Sequence, residues 1–243
     1  MMLGYYIMAY WEPRSGSREQ CAEKIHGFFE NAKTIDCIFE DLYLVGTSMK
    51  HQVGDKLAST TEGIAMQLKV DRQFPDLGFK LSTFIPDDSF SMRITEYASS
   101  DAAAFNGINI TILPELNQRA CNLLSFNNYY HMVELIVKHF DPILCRADSD
   151  KHQEMLNYRG SYPYVGWINY YNTPAESLPM LPDDIEIIDV EGRGIITITT
   201  RDRYDADNRH HVESAAKVQT FLINAGIIRE PTDDDFVPPI CDE

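Results

Sequence analysis

The chain has 243 residues, 44% of them hydrophobic, and a net charge of −16. That supplies enough apolar material for a sizeable core, and too few cations for binding nucleic acid or docking on an anionic membrane. Its five cysteines are an odd, widely spaced set without a CxxC pair, which excludes a zinc framework or a disulfide scaffold.

The N-terminus lacks a basic n-region, and Tyr5–Trp11 reads as a first strand. Ser17 stands three residues before Gln20, the spacing of a capping box. Cys21, Ile25, Phe28, Phe29 and Ala32 then recur at helical intervals, so a helix is expected over 18–33. Phe39–Val45 reads as a strand closed by Gly46. A weaker helical pattern over 58–73 carries Ile64, Ala65 and Leu68 and is ended by Pro75. Gly78–Phe84, Ser91–Tyr97 and Asn109–Leu113 have strand character. Their turns are rich in Pro, Asp, Ser and Asn, which predicts an antiparallel meander.

A second helix is expected over 128–140, with Met132, Val133, Ile136, Val137 and Phe140 on one face and a stop at Asp141-Pro142. Ile143–Arg146 and Val165–Tyr170 read as strands. Pro174, Pro179 and Pro182 force an extended connection to a hairpin, Ile185–Val190 and Gly194–Thr200. The last helix begins near Asp207 as N-cap, buries Ala215, Val218, Leu222 and Ala225, and meets a C-terminal cap at Gly226. The tail, Glu230–Glu243, holds six acidic residues, no basic ones and three prolines, and is expected to be extended or mobile. Helices do not alternate with strands, so the fold class is α+β: an antiparallel-rich sheet with amphipathic helices packed on it. The chain reads as one domain, with loosely similar halves at 1–116 and 117–229 and the tail from 230.

Chemistry is sparse. The best metal candidate is DSDKHQE, where Asp148, Asp150, His152 and Glu154 alternate along the chain, although Lys151 sits among them. No GxSxG elbow, HExxH or P-loop occurs, and no Glu-x-Lys set of a metal-dependent nuclease. No catalytic residue, cofactor or resident metal is expected. Two acidic segments remain, Asp183–Glu213 with nine acidic and four basic residues, and the tail. Acidic residues close to Tyr and Trp suit a basic, concave partner.

Several segments in order resemble a known family: LGFKLSTFIPDDSFSMRITEYASSD at 77–101, GINITILPEL at 107–116, GWINYY at 166–171, and DVEGRGIITITTRDRYDADNRHHVESAAKVQTFLINAGII at 189–228. They resemble the Imm52 family, immunity proteins of bacterial polymorphic toxin systems. The resemblance implies an α+β fold with a Gly-Trp motif. It also implies a non-enzymatic, cytoplasmic inhibitor of a nuclease toxin of restriction-endonuclease-like type, with a type VI secretion effector as a plausible cognate. On that reading Gly166 and Trp167 define the fold. Tyr170, Tyr171, Glu191, Asp202, Asp205, Asp207, Asp233, Asp234 and Asp235 are the candidate toxin contacts. The alternative left open by the residues is a metal- or small-molecule-binding enzyme or sensor built on DSDKHQE and the tyrosines.

Overall fold

The computed structural model describes residues 4–48, 51–70, 78–96, 106–158 and 162–237. Its strands are β1 (Tyr5–Trp11), β2 (Tyr43–Ser48), β3 (His51–Lys56), β4 (Lys69–Val70), β5 (Phe79–Phe84), β6 (Phe90–Glu96), β7 (Asn106–Ile112), β8 (Leu144–Ser149), β9 (Ile168–Tyr171), β10 (Glu186–Asp189) and β11 (Ile195–Ile198). The helices are α1 (Arg18–Ala32), α2 (Thr61–Gln67), α3 (Gln118–Leu123), α4 (Phe126–Phe140), α5 (Asp150–Leu156) and α6 (Arg209–Asn224). Among the described residues no helix is long and apolar enough to cross a membrane.

The strands form one sheet in the order β10-β11-β9-β8-β1-β7-β6-β5-β2-β3, with β4 beside β5. The strand pairings are antiparallel. β1 is the seam. One of its edges pairs with β7 (Ala9↔Ile108) and the other with β8 (Ala9↔Cys145).

The register explains how the sheet buries one face. A row of directly paired residues runs Ile188, Ile196, Tyr170, Cys145, Ala9, Ile108, Ile94, Leu81 across eight strands. Every member is apolar or aromatic, and α1 and α4 pack on that face to close the main core. The next row, Ile187, Thr197, Asn169, Arg146, Met8, Asn109, Arg93, Ser82, points the other way and is mostly polar. Arg93 and Asn109 are exposed on it. At the β9–β11 end this second face is covered by α6, whose Ala215, Val218 and Leu222 meet Val165, Tyr171 and Ile195.

The strongest local signals are met. Ser17 and Gln20 form the capping box, and Cys21, Ile25, Phe28, Phe29 and Ala32 are buried beneath it. Burial pushes the Cys21 thiol up to about 12, so it is an inert core group. Ser125 caps α4, and Asp141 ends it in the left-handed region at φ 46°. Gly226, at φ 71°, follows the last turn of α6 as expected.

Other elements differ. Cys37–Glu40 is a 3₁₀ turn, because the Asp36 carboxylate accepts from the Ile38 amide, and the strand begins only at Tyr43. The weak helix over 58–73 shortens to α2, since Leu68 turns extended at ψ 127° to enter β4. Pro75, its expected stop, lies outside the described residues, as does Tyr97. α6 is capped by Asn208 rather than Asp207. β3 and α3 have no counterpart in the sequence reading, and α5 starts within DSDKHQE, a segment whose polar composition suits a loop or a helix start.

The tail is docked, not extended, as far as Val237. Phe236 bridges Tyr158, and the Val237 amide donates to the Asn157 carbonyl at 2.9 Å. Arg229 grips the Asp235 carboxylate, which also accepts from the Thr232 amide at 2.7 Å. These donors hold the Asp235 carboxyl well below its ordinary value of 3.8. Asp235's contribution to the tail's attachment is therefore complete above the usual carboxylate range and is lost as pH falls through its depressed value. At neutral pH, Asp235→Asn should free this segment. The Val237 amide will then exchange with solvent faster, while that of Trp167 will not change.

Candidate functional site

β8 ends in Cys-Arg-Ala-Asp-Ser, and α5 starts directly after it, capped by the Ser149 hydroxyl on the His152 amide at 3.3 Å. That junction puts Asp148 and His152 on one side, four residues apart. The His152 Nδ1 and Asp148 Oδ2 atoms are 2.7 Å apart, and both side chains are closed to solvent. Burial raises the Asp148 carboxyl, against the opposing pull of the hydrogen bond to His152. Tyr204 lies beside the imidazole at 4.9 Å between ring centroids, and Tyr164 at 6.1 Å. The Tyr164 hydroxyl is hydrogen-bonded to that of Tyr6. Arg146 stacks on the Tyr164 ring at 3.9 Å and donates to the Tyr162 carbonyl at 2.8 Å.

An Asp–His pair can orient a general base. Here both side chains are closed to solvent, and the imidazole lies against the rings of Tyr204 and Tyr164. Among the described residues no group of three or more His, Cys, Asp or Glu side chains is placed to hold a metal ion. DSDKHQE is therefore split. Asp148 and His152 turn into the core, and Lys151 turns outward to pair with Asp207.

Gly166 belongs to the same assembly. A Cβ there would stand 2.8 Å from both Cβ and Cγ of Asp148, so only glycine admits the carboxylate at this point. The Asn169 side chain clamps the glycine by accepting from its amide at 2.9 Å and donating to its carbonyl at 3.2 Å. Strict alternation across 165–170 is broken by this clamp. Trp167 packs with Ile168 and Tyr170 in the main core, not opposite them. Its ring stacks on Tyr129 at 4.7 Å, and its Nε1 donates to the Thr200 carbonyl at 2.9 Å.

Of the residues singled out for a partner, Tyr170 and Tyr171 are 0% and 4% exposed, and this corrects the expectation that they reach one. β9 lies between α4 on one face and α6 on the other, so both of its faces are core. Asp235 is corrected likewise, because Arg229 and Thr232 occupy its carboxylate and it is buried. Glu191, Asp202, Asp205, Asp207, Asp233 and Asp234 are exposed. They do not form one patch. Glu191 sits in the β10–β11 turn, whereas Asp202, Asp205 and Asp207 lie past the other end of β11, beside α5 through the Lys151–Asp207 pair. Asp233 and Asp234 belong to the docked tail.

Missed in the sequence were Tyr6, Arg146, Tyr164 and Tyr204, which complete the buried polar cluster. The signal available was the polar run RADSD after an apolar Ile-Leu-Cys.

No protein of curated function matches the chain. Among solved structures, a T6SS protein of Pseudomonas aeruginosa, PA0821, is similar, with 11% identity and a TM-score of 0.53 over 94% of this chain and 77% of that one. At that identity the likeness is one of fold. A model of immunity protein 52 matches residues 4–231, a span that includes the β-sheet, the six helices of the described residues and the Gly-Trp motif. The chain belongs to the immunity protein 52 family, Imm52.

Proposed function

We propose that this chain binds a cognate bacterial toxin and neutralises it by direct protein–protein contact, in the cytoplasm and without catalysis. The observation that carries the reading is the family match over residues 4–231. The name of the similar structure, a type VI secretion protein, supports an effector of that system as the source of the toxin.

The toxin class that suits the surface is a nuclease with a restriction-endonuclease-like domain. A nuclease presents a cationic surface to DNA, and this chain carries a net charge of −16. Opposite fields raise the rate of encounter and favour the correct partner more than they add affinity. The exposed carboxylates Glu191, Asp202, Asp205, Asp207, Asp233 and Asp234 are among the groups that contribute to this field.

The test is co-expression with the protein encoded by the adjacent gene. Growth rescue together with co-purification is the expected result, and absence of both overturns the reading. The electrostatic component is tested separately. Asp202→Lys, Asp205→Lys and Asp207→Lys combined should slow association about tenfold at low salt and flatten its salt dependence. An unchanged rate and an unchanged salt slope would remove these three residues from the interface.

A further inference from the structure

We propose that the free edge of β10, together with the groove between β10 and α4, receives an extended basic segment of the toxin, which joins the sheet as an added strand. The proposal rests on the immunity reading above and assigns it a docking surface.

Among the described residues β10 ends the sheet order. The Val190 amide donates to the Gly194 carbonyl at 2.8 Å, which closes the hairpin and sets its alternation. Counting back from that bond, the N–H and C=O of Ile188 face β11, and those of Ile187 and Asp189 face outward. Outward-facing strand groups are a template for another chain, and proteins blunt them with lysine, proline or bulges. β10, Glu-Ile-Ile-Asp, is short and carries acidic charge at both ends, but it has no lysine, proline or bulge, so its charge would repel an acidic strand and admit a basic one. Its pairing with β11 is regular over four residue pairs, Glu186↔Ile198 to Asp189↔Ile195. The opposite edge, β3, is different, because its register against β2 shifts twice along its length. Such irregularity twists an edge away from further pairing.

Beside the β10 edge lies a groove of about 490 Å³. Leu135, Ile188 and Val190 supply its apolar lining, and Glu134, Asp189 and Glu191 its acidic groups. Two cations also border it, Lys138 and Arg193. The Arg193 guanidinium is turned to the carbonyls of Val137 and Lys138, at the C-terminus of α4. The chain leading into and through β10 carries Asp183, Asp184, Glu186, Asp189 and Glu191 with no basic residue between them. Arg201 offsets Glu186, and Lys217 offsets Asp184. In the lining Lys138 offsets Glu134 on α4, and the surplus is negative on the β10 side, where Asp189 and Glu191 stand against Arg193 alone. An added strand places alternate side chains on opposite faces, so the fitting segment alternates apolar residues with Lys or Arg.

The test follows backbone amide exchange by NMR in the unaltered protein, alone and bound to the product of the adjacent gene carrying an inactivated catalytic site. The amides of Ile187 and Asp189 should slow at least tenfold in the complex, while Ile188, already bonded to β11, changes little. A complex that forms without protecting Ile187 and Asp189 overturns the edge proposal and leaves the immunity reading standing. Absence of any complex overturns both.

A pair of variants gives a second measure. Asp189→Pro removes the outward N–H at an edge position where proline is tolerated, and Asp189→Asn removes only the charge. The proline variant should weaken binding at least tenfold, and the asparagine variant only a few-fold. Equal effects overturn the proposal. If Asp189→Pro does not fold, the exchange result decides.

Discussion

Trp167→Ala is expected to cost about 3–5 kcal/mol of folding stability, the range for emptying a large aromatic site in a closed core. In a chain of this size that corresponds to a fall in Tm of roughly 6–20 °C. Three contacts are lost together: the stack on Tyr129 at 4.7 Å, the edge contact with Tyr5 at 6.4 Å, and the hydrogen bond from Nε1 to the Thr200 carbonyl. Thr200 lies just past β11, and Tyr5 opens β1, so the indole ties three separate stretches of chain. Thermal unfolding of the purified variant measures the effect. A loss below about 1 kcal/mol would mean that the site collapses freely and that the tryptophan is not a keystone of the fold.

The second large effect is a coupling. Gly166→Ala alone drives a methyl group into Asp148 and should cost about 1–3 kcal/mol, as overpacking does. Asp148→Ala alone removes the partner of a buried imidazole and should also cost about 1–3 kcal/mol. Combined, the new methyl group no longer meets the Asp148 Cγ and Oδ2, and only its contact with the retained Cβ is left to be relieved by a small shift. The double variant should therefore be more stable than the sum of the singles implies, by about 1–2 kcal/mol. Denaturant unfolding of the four proteins gives this difference. Strict additivity would show that Gly166 is required for something other than admitting Asp148.

Much of the architecture could be read from local sequence, and the reasons are specific. α1 and α4 carry both a side-chain cap and a full apolar stripe, so propensity and packing agree. The strands β1, β5, β6 and β7 carry clear turns and an alternating pattern. β3 escaped notice because His-Gln-Val-Gly-Asp-Lys has a single large apolar residue and a central glycine. α5 was hidden because its start, DSDKHQE, has the composition of a loop, and its helical character depends on Ser149 as a cap.

The site was less legible. Tyr170 and Tyr171 were assigned to a partner because aromatic residues near carboxylates suit an interface. Yet Ile-Asn-Tyr-Tyr contains no charge, and a short unbroken apolar or aromatic run is also the signature of a strand covered on both faces. Periodicity cannot tell these cases apart, since the covering helix, α6, lies some forty residues further along the chain. Asp148 and His152 stand out in the sequence only as two of the four polar groups of DSDKHQE, and spacing carries no information on which of them face solvent and which the core.

The position of β1 has a temporal consequence. One of its edges can be satisfied as soon as β7 emerges, but the other waits for β8, which ends at Ser149. At translation rates of ~5–20 residues per second, the interval between completing β1 and completing β8 is roughly 7–28 s. During that time the nascent chain displays an unpaired strand edge with Tyr5, Ile7 and Ala9 on its apolar side. The pairing that ends this exposure joins residues far apart in sequence, which slows folding. The finished sheet thus trails the synthesis of its own central strand by an interval that topology sets.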